Sequence, residues 1–246
     1  MTPSPWPKSI PALTGEQQVI SDDFMRYWHE VLPKRYGALE RFNHSYPVRH
    51  APGEFLRTLE IGAGLGTHLD YEHLTSEQEA HYTALELREN MAAKIRERFP
   101  RIQTCVGDCQ QNIPFPDGHF DRVLAVHVLE HLPNLPEAIR EAHRLCHPER
   151  GVLSVVIPCE GGCAYGLARR ISAQRLFEKR YKQRYDWFIR REHLNRPHEI
   201  IGELGKRFQT IHQSWFPLGI ASVNLNLCIG LTLRPRCCDA EKRAAA

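Results

Sequence analysis

Residues 59–69 read LEIGAGLGTHL, an apolar run that ends in three alternating glycines, Gly62, Gly64 and Gly66, with Glu60 two residues before the first. A glycine-rich turn from a strand into a helix lets backbone approach a ligand closely and exposes unpaired helix N–H groups. Dinucleotides, phosphates and nucleosides all use such turns. The dinucleotide fingerprint G-x-G-x-x-G needs glycine at 67, where the chain has Thr67, and the lysine of a phosphate loop is absent. The residues downstream of the loop must decide the ligand.

Outward from the loop, short apolar strands are predicted at 56–61, 81–86, 102–106, 121–127 and 151–157, with helical patterns near 66–74, 89–99 and 135–146. This alternation predicts an α/β fold with a parallel sheet covered on both faces. A helix near 197–207 and then two strands, FQTIHQSWF and NLNLCIGLTL, predict a closing hairpin that makes the edge antiparallel. Upstream, helical spacing from Glu16 to about Phe42 with a break at Pro33 predicts two helices. The expected organisation is an N-terminal leader with cap helices over 1–54, a main domain over 55–236 and a frayed tail over 237–246.

Composition narrows the class. Hydrophobic residues are 42% and charged residues 25%, as in ordinary globular proteins, and a formal charge of +3 implies no partner by itself. MTPSPWPKSIPALTG has no apolar core of a secretion signal, and no apolar run nears the ~20 residues that span a bilayer. A cytoplasmic location is expected. Eight scattered cysteines lack paired C-x-x-C spacing, so buried reduced thiols are expected rather than a zinc ribbon.

Glu86 ends the second predicted strand, twenty residues after Gly66, where an acid can accept both hydroxyls of a ribose. Asp108 follows the third strand, within reach of an adenine amino group, and Glu60 beside the glycines favours a cationic ligand. Three acids at successive strand ends, in register with one glycine loop, point to a nucleoside-bearing cofactor.

LEIGAGLGTHL, the acid in ALEL, GDCQQNIPFPDGHFDRVLAVHVLEHL and EAHRLCHPERGVLSVVIP together resemble the class I S-adenosylmethionine-dependent methyltransferases. The resemblance is to the small-molecule group related to ubiquinone and menaquinone biosynthesis. It implies a Rossmann-like, doubly wound sheet of seven strands, mostly parallel, with a helical insert between strands 5 and 6. It also implies S-adenosylmethionine as cofactor, with Glu60, Gly62, Gly64 and Gly66 around the methionine part, Glu86 on the ribose and Asp108 with Cys109 on the adenine. A non-catalytic scaffold and an NAD-dependent oxidoreductase are the alternatives, the latter disfavoured by Thr67.

Methyl transfer is an in-line displacement, and a hydroxyl acceptor also needs a base. AVHVLEHL sits at the end of the fourth strand, where strand ends face the crevice, so His127 and His131 are the first candidates. The alternative is that LEH opens a helix, with Glu130 at its N-terminus and His131 packed. His193 in REHLNRPHEII is the third candidate, on the loop before a helix with Asn195 as N-cap and Pro197 in its first turn. The H-x-x-E-H spacing of His127, Glu130 and His131 suits a metal, but spacing without geometry assigns none.

The insert over 159–192 should select the acceptor. Over 164–192 nine Lys and Arg face three acids, a net of +6, and six aromatics are interleaved. One reading packs Leu167, Ile171, Leu176 and Phe177 of an amphipathic helix inward. The other makes the segment a lid for an anionic acceptor, hinged at Gly161–Gly162, with Tyr181, Arg184, Tyr185 and Arg190 in contact with it. Peripheral membrane contact through 164–192 fits the same composition, whereas no appended nucleic-acid module is seen. IPCEGG, YDWFIRREH and NLNLCIGL resemble, more loosely, methyltransferases of polysaccharide and glycoconjugate assembly, which implies a sugar hydroxyl as acceptor. N- or C-methylation of another metabolite, a quinone, a lipid or RNA stays open.

Overall fold

The structure is a computed structural model that describes residues 6–31 and 37–236. Its centre is a sheet of seven described strands: β1 (Thr58–Ile61), β2 (Tyr82–Glu86), β3 (Gln103–Val106), β4 (Arg122–Val126), β5 (Val152–Pro158), β6 (Phe208–Phe216) and β7 (Cys228–Pro235). The order is β3-β2-β1-β4-β5-β7-β6. The first five strands pair in parallel and β7 runs antiparallel between β5 and β6. This is the Rossmann-like doubly wound sheet with the expected C-terminal hairpin.

Period-two alternation gives the sheet two buried faces. Leu59, Ile61, Val123, Ala125, Val155 and Leu231 share one core with α5 (Leu135–Leu145) and α9 (Pro197–Arg207). Tyr82, Ala84 and Leu124 share another with Ile95 of α4 (Glu89–Arg98). On this face the upstream helix α2 (Gly37–Arg49) lays the ring of Tyr46 on Gly230, where an added Cβ would lie 2.6 Å from the ring. Pro33 and residues 237–246 lie outside the described residues, as do the expectations placed on them.

Two local expectations change. The helix expected near 66–74 is a 3-10 turn, His68–Tyr71, followed by the short α3 (Ser76–Ala80), which Thr75 and Gln78 close with a capping box. Asn195 is not a cap. Its side chain is fully buried, donates to the Leu129 and Leu132 carbonyls and accepts from the Trp6 indole, while Arg196 precedes Pro197 at the helix start.

The insert is α6 (Cys163–Arg169), a π-turn at Arg170–Gln174, α7 (Arg175–Tyr181) and α8 (Asp186–Glu192). With α1 (Gly15–Val31) it builds a separate aromatic core, in which Phe24 packs edge-on against Phe177 and Phe188 at 5.0 and 5.1 Å. No helix among the described residues is long and apolar enough to cross a membrane.

Candidate active site

Parallel strands bring the ends of β1 to β5 to one edge, and each is followed by a polar or glycine segment. Gly62, Gly64 and Gly66 all take left-handed backbone, with φ of 67°, 59° and 73°, which a Cβ penalises. Their neighbours differ. A Cβ at Gly62 would lie 2.5 Å from Val128 and one at Gly66 3.1 Å from Phe99, so these two are also forced by packing. At Gly64 nothing lies within 4 Å, and the loop shows bare backbone to open space.

Glu86 is 4% exposed and faces the loop. One carboxylate oxygen accepts the Gly64 N–H at 2.9 Å and the other the Arg88 N–H at 3.1 Å. Oε2 keeps a spare lone pair, while Oε1 also takes the Arg88 Nε–H at 3.3 Å, a long bond from a half-exposed side chain that a hydroxyl can displace, so the carboxylate fits a vicinal diol. Asp108 accepts from the Gln110 backbone and side chain through Oδ1, which leaves Oδ2 for an amino group. Burial pushes the neighbouring Cys109 thiol up to about 12, so it stays neutral. Leu87, directly after Glu86, is 64% exposed and offers an apolar surface to a base.

Glu60 behaves differently from the other acids. It is 3% exposed and accepts from the Tyr82 hydroxyl at 2.8 Å, in a buried polar group with His68, Glu72 and Arg122. Burial pushes its carboxyl up to about 8 despite the Tyr82 bond, so at neutral pH it is largely uncharged.

After β4 the chain does not form the helix on which His127 and His131 would share a face. His127 takes left-handed backbone at φ 53°, and Leu129–His131 is a 3-10 turn. The turn buries Glu130, whose Oε1 stands 3.0 Å from His127 Nδ1 and 3.9 Å from His131 Nε2. Burial works to raise the Glu130 carboxyl, but the His127 hydrogen bond and the surrounding imidazoles hold it at about 2. Burial likewise opposes charge on His127, yet the bonds with Cys228 and Glu130 hold that imidazole well above its usual value. His131 moves the other way: burial and nearby His193 hold it below the usual value, hence neutral at pH 7.

His131 and His193 meet edge to face at 5.2 Å. His131 Nδ1 bonds the Glu192 carbonyl at 2.5 Å, and His193 Nδ1 bonds Glu160 Oε2 at 3.0 Å. Each ring therefore has its Nδ1 engaged and leaves Nε2 as the nitrogen without a hydrogen bond among the described residues. The ligating atoms of Glu130, His131 and His193 lie within 4.8 Å of one another, so the third candidate histidine, His193, joins the group and His127 stands to one side. Sequence reading missed Glu160, although it follows β5 much as Glu86 ends β2 and Asp108 follows β3. It also missed Tyr165, whose ring lies 6.5 Å from His193.

A groove of about 660 Å³ runs from His193 and Glu160 between the leader and α8, past Lys8, Arg169, Arg190 and Arg196. Of the four residues expected to contact the acceptor, Arg190 lines this groove. Arg184 is 86% exposed and paired with Asp186, and Tyr181 donates to Asp23 at 2.7 Å. The Tyr185 ring is buried in the aromatic core, where burial, with Glu160 and Glu192 nearby, raises its hydroxyl. Gly161 has φ 88°, as a bend requires, but Gly162 is packed: a Cβ there would lie 2.1 Å from the Val223 carbonyl.

Residues 59–154 match the family described as "methyltransferase domain". A malonyl-[acyl-carrier protein] O-methyltransferase from Halorhodospira halophila is 33% identical over 109 residues, which cover 44% of this chain and 36% of that protein. A "probable S-adenosylmethionine-dependent methyltransferase" from Mycobacterium tuberculosis is 29% identical over 154 residues, 61% of this chain and 49% of that protein. The chain thus spans about a third to a half of the length of these curated relatives. Among solved structures, 1,6-didemethyltoxoflavin-N1-methyltransferase of Burkholderia thailandensis, with S-adenosylhomocysteine bound, superposes with a TM-score of 0.58 at 16% identity, covering 94% of this chain and 93% of that one.

Proposed function

We propose that the chain is a class I S-adenosylmethionine-dependent methyltransferase, a reading supported by the match of residues 59–154 to the methyltransferase-domain family, and that it methylates a hydroxyl oxygen of a small or carrier-linked anionic acceptor. The observation that carries this reading is the pair of imidazoles tied at Nδ1, His131 to the Glu192 carbonyl and His193 to the Glu160 carboxylate. Each offers Nε2 as a proton acceptor, and a hydroxyl needs one whereas a carboxylate does not.

S-adenosylmethionine supplies, when bound, a methyl group already activated on a sulfonium. Bare backbone at Gly64 would lie against its methionine part, Glu86 would accept the ribose hydroxyls, Asp108 with Cys109 would take the adenine amino edge and Leu87 would cover the base. Neutral His131 removes the acceptor proton and His193 orients the oxygen. Protonated His127 compensates Glu130, so this carboxylate fixes the turn without repelling an anionic acceptor. Arg190 and Arg196 along the groove favour that anion, while Lys8 is already paired with Glu199, and the carrier-linked acid named for the Halorhodospira relative agrees with it. A sugar hydroxyl on an anionic carrier fits the same groove. In this reading residues 55–236 are the catalytic domain, 159–192 and the helices of 1–54 cover the acceptor, and the enzyme works in the cytoplasm, where its thiols stay reduced.

The test is calorimetric titration with S-adenosylmethionine and with NAD, then methyl transfer from labelled cofactor into fractionated cell extract. Binding of S-adenosylmethionine alone, lost in Glu86→Ala, and label in an alkali-stable ether are expected. Absence of binding, or binding indifferent to Glu86→Ala, would overturn the reading.

A further inference from the structure

From Cys163 to Tyr181 the insert is one continuous rod, α6, the π-turn and α7. Steps of four residues drift by about 40° around an α-helix, and the wider π-turn drifts back. Two rows at strict four-residue spacing thereby keep opposite faces. The inner row is Tyr165, Arg169, Ala173 and Phe177: Tyr165 lies by His193, Arg169 bridges Glu160, and Ala173 and Phe177 enter the aromatic core. The outer row is Cys163, Leu167, Ile171, Arg175 and Lys179, every one exposed.

Leu167 and Ile171 are 63% and 66% exposed, which overturns the reading that packs both inward. Arg170 and Lys182 border the row, and Arg170, Arg175, Lys179 and Lys182 have no side-chain partner among the described residues. No acid stands in the row; its neighbour Glu178 is held by Gln174. The apolar end continues into the β6–β7 connection, joined to the helix start by the Ala164 N–H and the Asn224 carbonyl at 2.9 Å. That connection exposes Leu218, Ile220 and Leu225 at 57%, 55% and 45%.

We propose that this face docks on an anionic lipid bilayer. Leu167, Ile171 and the aliphatics of the β6–β7 connection enter the acyl boundary, and Arg170, Arg175, Lys179 and Lys182 meet lipid phosphates. Large aliphatics beside unpaired cations match a lipid interface, whereas single-stranded nucleic acid is held by exposed rings, and here the rings of Tyr165 and Phe177 turn inward. The helix that meets the membrane also carries Arg169, which holds Glu160 against His193. An amphiphilic acceptor would therefore reach the groove without leaving the membrane surface. This last step rests on the methyltransferase reading; the docking does not.

The test sediments the full chain with phosphatidylcholine vesicles, either pure or with about one third phosphatidylglycerol. Each cation near a charged surface is worth about a factor of five in affinity. Arg170→Glu with Lys179→Glu should lower binding to anionic vesicles at least tenfold, as should Leu167→Ser with Ile171→Ser, and added salt should weaken it. Calorimetric binding of S-adenosylmethionine should stay unchanged in both double variants, which reports an intact fold. Equal binding to neutral and anionic vesicles, indifference to both double variants, or row-dependent retention of RNA or an acidic protein with no vesicle binding would each overturn the proposal. Vesicle binding without cofactor binding would sink the methyltransferase reading and leave the docking intact.

Discussion

Glu160 Oε2 stands 3.0 Å from His193 Nδ1, and Arg169 holds the other carboxylate oxygen. Burial works to raise this carboxyl, but the His193 bond and Arg169 hold it below the usual range, so it is ionised and orients the imidazole. Glu160→Ala frees the ring to turn. A fall in kcat of about ten- to a hundredfold, with the S-adenosylmethionine Kd unchanged, is expected from turnover assays and calorimetry. Unchanged kcat would remove His193 from the machinery.

The pH profile should report His131. Its folded-state value lies below 6.5, so the base is fully available at neutral pH and is lost only as pH falls through that lower value. The acid limb of kcat should therefore lie below pH 6.5. Glu130 raises His131, so Glu130→Gln should move the limb lower still, read from stopped-time assays across pH.

Glu60 should govern stability instead. Its folded value of about 8 is above the usual carboxylate value of 4.5, so the folded chain binds the extra proton between these two. Its contribution is complete below about pH 4.5 and is lost as pH rises through about 8. Glu60→Gln keeps an acceptor for Tyr82 without the proton, and should flatten urea-derived stability between these limits, gaining on the order of a few kcal/mol at the alkaline end. An unchanged slope would assign the proton elsewhere.

Gly62 and Gly64 test packing against conformation. Both have left-handed backbone, which costs an alanine about 1–2 kcal/mol. Gly62→Ala also meets Val128 at 2.5 Å, so thermal melts should show the larger loss there, with partial recovery when Val128→Ala is added. Gly64→Ala should spare stability more and weaken cofactor binding instead.

Arg190 and Arg184 divide the insert. Arg190→Glu should raise acceptor KM about tenfold, because Arg190 lines the groove beside His193. Arg184→Glu should change it less than twofold, since this side chain is 86% exposed and already paired with Asp186.

The sheet was legible because alternation and glycine position are local signals: the strand ends and the acids Glu86 and Asp108 emerge directly from them. Glu160 carries the same signal after β5, but it falls where the insert begins and was absorbed into that segment. The partners of His131 and His193 were not legible, since Glu192 and Glu160 reach them across 61 and 33 residues through tertiary packing. Leu167 and Ile171 were misplaced for a different reason. The π-turn at Arg170–Gln174 shifts the phase of the helix, so its outward row runs at four-residue steps rather than at the α-helical period.

Trp6 donates to Asn195 at 3.1 Å, and Asn195 in turn holds the carbonyls on either side of the His131 turn. The leader is thus wired to the candidate site across 189 residues of chain. Its indole is a built-in optical reporter: ligands that shift the turn will register in the emission of Trp6, and fusions spliced close to it will perturb turnover without touching a single residue of the crevice.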